Sequence, residues 1–120
     1  MLESAVDKLC HSFEDQCRYY DRLWEITKRA TGSLAMSRGD FSSLLLVLSE
    51  KEHLLQMIVD SKSSVADEIE LWMAEKQNAS EDLVSRLNSS LDVMETVIKR
   101  FLAAEKQLEK QIVFYRKDPK

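Results

Sequence analysis

Glu50 and His53 stand three residues apart inside GDFSSLLLVLSEKEHLLQMI, residues 39–58. On a helix that spacing puts a carboxylate and an imidazole on one face, as the ligand pairs of carboxylate-bridged di-iron bundles require. Such a centre needs the pair twice, with two further glutamates. The only other histidine, His11, has Lys8 three residues before it, so the second pair is missing. Glu50 and His53 therefore read as a solvated surface pair. Zinc is no better served. Cys10 and His11 are adjacent and diverge on a helix, Cys17 lies two turns on, and neither CxxC nor HExxH occurs. Nucleophilic catalysis at Cys or Ser asks for an activating base in a polar cleft, which no stretch supplies. GxxxxGK and GxGxxG are absent too, leaving a nucleotide without its usual backbone cradle. A phosphotransfer bundle would use one exposed histidine. Neither His11, followed by SFEDQ, nor His53, followed by LLQMI, has the neighbouring Lys and Gly that stabilise a phosphoryl group. These residues predict no enzyme, no metal and no cofactor.

The elements that carry them are helices. With two Gly and one Pro in 120 residues, the sequence is poor in loop formers, and charges of both signs are interspersed through it. That describes one helical domain over residues 1–120. Cys10 and Cys17 would lie roughly 10 Å apart on a helix, too far for a disulfide. With no basic-then-apolar leader in MLESAVDK, two unbridged thiols predict a cytoplasmic protein. The longest apolar run, Leu44 to Leu48, falls far short of the ~20 residues a membrane span needs, so no insertion is expected. The chain carries −4 overall, while residues 106–120 set five cations against two anions. Cations suit the C-terminal end of a helix, and the acidic remainder would repel phosphates, so nucleic acid is not an expected partner.

Apolar periodicity predicts three long helices, about 2–37, 41–76 and 81–116, in an elongated, antiparallel, coiled-coil-like bundle. In the first, Val6, Phe13, Tyr20, Thr27 and Leu34 form one sevenfold column and Leu2, Leu9, Gln16, Leu23 and Ala30 another. A third column, Cys10, Cys17 and Trp24, widens the stripe, which predicts a helix touching two neighbours and continuing through Gly32. Gly39 suits a left-handed helix stop and Asp40 the next N-cap, so Arg38-Gly39-Asp40 reads as an interhelical turn rather than an adhesion signal. The second helix aligns Leu44, Leu48, Leu55, Ile58, Val65, Ile69 and Trp72, with Lys51 interrupting. Ser80 caps the third, whose seam from Val84 to Tyr115 is broken only by Glu105.

The end of that third helix offers a surface for another protein. Ile112 and Tyr115 lie on the seam, so Val113 and Phe114 must point away from it, beside Arg116 and Lys117. These six residues are the candidate partner-binding site, with Phe114 as its anchor.

The segment from Gly39 onward, after a long helix ending in TGSLAMSR, resembles the flagellar export chaperones of the FlgN family. Gly39, Asp40, Leu44, Leu48, Glu50, Lys51, Glu52, Leu54 and Leu55 match their pattern of Gly-Asp, Leu-x-x-Leu, Glu-Lys-Glu and Leu-Leu. Family members often carry an Asn followed by a Leu pair in the third helix, where this chain reads AAEKQLEKQI. The resemblance implies a small type III secretion chaperone for flagellum biogenesis, without ATPase activity. It would hold hook-associated, filament-junction proteins unassembled and deliver them to the export apparatus. Glu50 to His53 would then be a solvated stripe between leucine contacts. The alternative is a structural or adaptor coiled-coil bundle, as a homodimer, with no export role.

Overall fold

A computed structural model describes residues 1–117. The chain forms α1 (Leu2–Met36), α2 (Leu44–Ser64), α3 (Ala66–Glu75), a 3-10 turn (Lys76–Asn78) and α4 (Glu81–Lys117), with no strand among the described residues. The expected all-helical, elongated shape is present. The molecule extends 63 × 21 × 18 Å, and its radius of gyration is 18.5 Å, against about 14 Å for a compact domain of this length. α1 passes through Gly32 without interruption. Ser80 caps α4 as expected, its hydroxyl accepting from the Leu83 N–H at 3.2 Å.

The middle of the chain departs from expectation twice. The second segment starts at Leu44 rather than Phe41, because Asp40 is not its N-cap. The Asp40 carboxylate accepts instead from the Ser42 N–H at 2.9 Å, a tight Asx turn one step too early to start a helix. That bond and the Ser42 hydroxyl hold the Asp40 carboxyl below its ordinary pKa. The segment is also two helices, not one. At Val65 the backbone turns to φ −117°, ψ 20°, and its N–H reaches back to Lys62 at 3.3 Å. The cause lies in Ser61-Lys62-Ser63-Ser64: the Ser64 hydroxyl donates to the Ser61 carbonyl at 2.7 Å, competing with the helical ladder.

The stop of α1 is a Schellman motif. The Gly39 N–H reaches Leu34 O at 3.0 Å and the Arg38 N–H reaches Ala35 O at 3.3 Å. The left-handed residue in the closing position is thus Arg38 (φ 57°), with Gly39 (φ 100°) following it. Gly39 is needed for a second reason. A Cβ there would come within 2.9 Å of the Tyr115 ring, which packs on the turn from α4.

α1 is the central helix. Asp7 pairs with Arg86, Thr27 with Glu105 and Asp21 with Arg100, each 78 or 79 residues apart, so α1 and α4 run in the same direction. Lys8 pairs with Glu68, Ser12 with Ser61 and Arg22 with Glu50, so α2 and α3 run against α1. The core follows α1 in three clusters. Leu9 packs with Val65 and Leu87; Leu23 and Ile26 with Leu54, Ile58 and Phe101; Ala30 and Leu34 with Leu108. Burying each such leucine contributes about 1.5–3 kcal/mol. The column that widens the stripe is Ala5, Ser12, Tyr19 and Ile26, buried at all but the half-buried Tyr19, whereas Cys10, Cys17 and Trp24 are all half-buried.

The turn gives a paired expectation. Gly39→Ala should lower stability in urea unfolding by about 1–2 kcal/mol, through its positive φ and the Tyr115 contact. Arg38→Gly should raise it by about 0.5–1 kcal/mol.

Candidate interaction surface

The charged knot in the middle of α2 divides by helical phase. Glu50, Glu52 and His53 face solvent, and Glu50 accepts from Arg22 of α1 at 3.0 Å. Among the described residues no three His, Cys, Asp or Glu side chains converge as a metal set would. Lys51 belongs to the interior instead: it is only 7% exposed. Its ammonium pairs with the Glu105 carboxylate and lies 5.9 Å from the centre of the Phe101 ring. The same carboxylate oxygen accepts from the Thr27 hydroxyl at 3.5 Å. Lys51 and Glu105, each an interruption in its own apolar column, are thus each other's partner, and with Thr27 they join three helices. The stripe expected at residues 50–53 is solvated at three of its four positions.

A second polar junction lies nearer the other end. The Ser12 and Ser61 hydroxyls meet at 2.8 Å, and the Gln16 amide donates to Ser12 at 3.1 Å. The cysteines face the α1–α4 side, where Cys10 Sγ lies 4.0 Å from the Arg86 carbonyl. Cys17 lines a shallow groove with Phe13, Ser90 and Val93. Burial, then the carboxylates of Asp21 and Glu14, push its thiol above the ordinary value, the opposite of what a nucleophile needs. Both histidines are exposed and far apart in the fold, on α1 and α2.

The six residues at the end of α4 separate as their phase requires. Ile112 and Tyr115 are half-buried against Ala30, Leu34 and Leu108. Val113 and Phe114 point outward, Phe114 with 60% of its surface exposed and its ring edge-on to Tyr115 at 5.0 Å. Arg116 is exposed, and the side chain of Lys117 lies outside the described residues. Phe114, Val113, Lys106, Glu109 and Lys110 line one shallow depression. Because Tyr115 packs on the Gly39 turn, this end of the rod also carries the exposed side chains of Met36 and Leu46.

The structure adds an apolar surface absent from the expected site. Leu48, Leu55 and Ile69, assigned to the inward column of the second helix, are exposed. With Leu45, Val59 and Met73 they make a separate outward row along α2 and α3. The inward row is Leu44, Lys51, Leu54, Ile58, Val65 and Trp72, each buried or half-buried. Two interleaved heptad rows exist in this segment, and the strict alternation of threes and fours from Leu45 to Met73 was the signal that separates them. No protein-family model, curated protein or solved structure matches this chain.

Glu105→Ala leaves the Lys51 ammonium buried without a partner and should cost about 2 kcal/mol in urea unfolding, less than a fully buried pair because Glu105 keeps contact with water. Lys51→Met with Glu105→Leu, which removes both charges, should recover most of that loss. In a Cys10→Ser background, alkylation of Cys17 should titrate at higher pH than a free thiol, because a raised pKa leaves less thiolate at any given pH. Asp21→Asn should move that midpoint down.

Proposed function

We propose that this protein is a non-enzymatic cytoplasmic chaperone of type III export that binds hook-associated, filament-junction proteins of the flagellum and delivers them to the export apparatus. In this reading α2 and α3 act as one bent rod, so that the chain works as an elongated antiparallel bundle of three rods. The observation that carries the binding reading is Phe114. A large aromatic stands exposed at the basic end of α4, beside Val113 and between Lys110 and Arg116, on a rod whose own core is already filled. An apolar anchor with a cationic rim fits the apolar face of an acidic amphipathic helix. Keeping that helix covered is what would prevent its premature assembly. Gly39, Asp40, Leu44 and Lys51, which match the family pattern, sit in the turn and buried column that position this end. The specific substrates and the export role come from the family resemblance. An adaptor bundle without an export role is the second reading, favoured by the separate apolar row on α2 and α3.

Affinity capture from the native cell should recover filament-junction proteins. Recovery of cytoskeletal or signalling proteins in their place would favour the adaptor. Phe114→Ala should weaken the captured partner by about 1–2 kcal/mol in calorimetric titration, with helicity unchanged. Unchanged affinity, or a large loss of thermal stability, would move Phe114 out of the interface.

A further inference from the structure

We propose that the outward row of α2 and α3 binds a second copy of this chain, the two rows running antiparallel about a two-fold axis. The proposal is independent of the export reading and uses a different face from Phe114.

The row has the geometry of a coiled-coil seam. From Leu45 to Met73 its positions advance by alternating threes and fours, and every one of them is exposed. The break at Val65 does not disturb the phase. Val65 and Trp72 stay inward against Leu9, which leaves Ile69 and Met73 in line with Leu55 and Val59. Exposed apolar side chains recurring over about 36 Å, from Leu45 to Ile69 at ~1.5 Å per residue and interrupted only at Glu52 and Lys62, mark an interaction site.

Charge complementarity selects the occupant. Only two seam positions are charged, Glu52 and Lys62. In an antiparallel pair each a position faces a d position of the partner. One such register sets Glu52 opposite Lys62 of the second copy, twice by symmetry. The same register sets Leu55 opposite Val59, Leu45 opposite Ile69 and Leu48 opposite Ala66, so that no charge meets an apolar side chain. Sliding by one heptad in either direction places Glu52 and Lys62 against leucine, isoleucine or valine. Parallel pairing in register would set Glu52 on Glu52 and Lys62 on Lys62. The row is therefore complementary to itself in one arrangement, as an isologous interface must be. Ser49, Gln56 and Ser63 flank it, uncharged and exposed, and permit close approach.

Sedimentation of the full chain over a concentration series tests this. The unmodified protein should dimerise. Glu52→Lys alone, or Lys62→Glu alone, should weaken the dimer at least about tenfold, because each creates two like-charge contacts. Combining both in one chain should restore it, as should mixing the two single variants in equal amounts. Circular dichroism should stay unchanged throughout, since both side chains are exposed. A chain that remains monomeric at all concentrations would overturn the proposal. So would a dimer indifferent to the single changes, or a double variant as weak as the single ones.

Discussion

One helix must supply a core for two neighbours, and most of the architecture follows from that demand on α1. α2 and α3 pack along it, and so does α4, with α2 and α4 meeting each other at the Lys51–Glu105 pair and around Phe101. Its buried stripe spans three sevenfold columns, and a stripe that broad cannot be wholly apolar without making the free chain insoluble. Ser12, Gln16 and Thr27 are the compromise: buried polar residues of which Ser12 and Thr27 meet a neighbouring helix, while Gln16 turns back to Ser12 and leaves its amide oxygen without a partner. Ser12 is answered by Ser61 of α2, Thr27 by the Lys51–Glu105 pair. A buried charge pair adds little net stability, but it penalises every alternative alignment, since shifting any rod would strand an ammonium in apolar surroundings. The register of the bundle is thus held by its polar interruptions as much as by its leucines.

The ion pairs on the surface act in the same direction. Asp7 with Arg86 and Asp21 with Arg100 recur two heptads apart along the α1–α4 contact, and Arg100 also lies 4.2 Å over the Trp24 ring. Each exposed pair contributes about 0–1 kcal/mol. Their value lies in spacing. A slip of α4 by one heptad would break both at once and remove Arg100 from its aromatic face.

How much of this was legible in the sequence depends on how many faces each helix uses. α1 and α4 each have one dominant stripe, and periodicity located their ends to within a residue or so. α2 and α3 carry two rows, inward and outward, and a single column drawn through them mixed Ile58 and Val65 with the exposed Leu48, Leu55 and Ile69. Lys51 and Glu105 looked like defects because periodicity describes one helix at a time, whereas their meaning is a contact between two. The outward direction of Phe114 was legible, being a matter of phase alone. The αL role of Arg38 was not, because Gly39 beside it offered a residue better suited to that conformation. The direction in which α4 lies against α1 is invisible to periodicity alone, which names faces and not neighbours; it follows from the two turns, near Gly39 and Asn78, that each reverse the chain.

The near-constant offset between contacting residues of α1 and α4 bears on how the chain is made. Long-range contacts of 78 or 79 residues dominate one flank of the core, so this is a helical protein with the loop-closure cost more usual of non-local folds. During synthesis α1 emerges first and can be covered on one side by α2 and α3, but its other side waits until α4 has left the ribosome. For that interval Tyr20, which meets Phe101, and Thr27, which meets Glu105, lack their α4 partners on a nascent half-bundle. Translation speed through the stretch before α4 would then set how long this half-bundle persists, and with it the protein's exposure to aggregation or to holding factors.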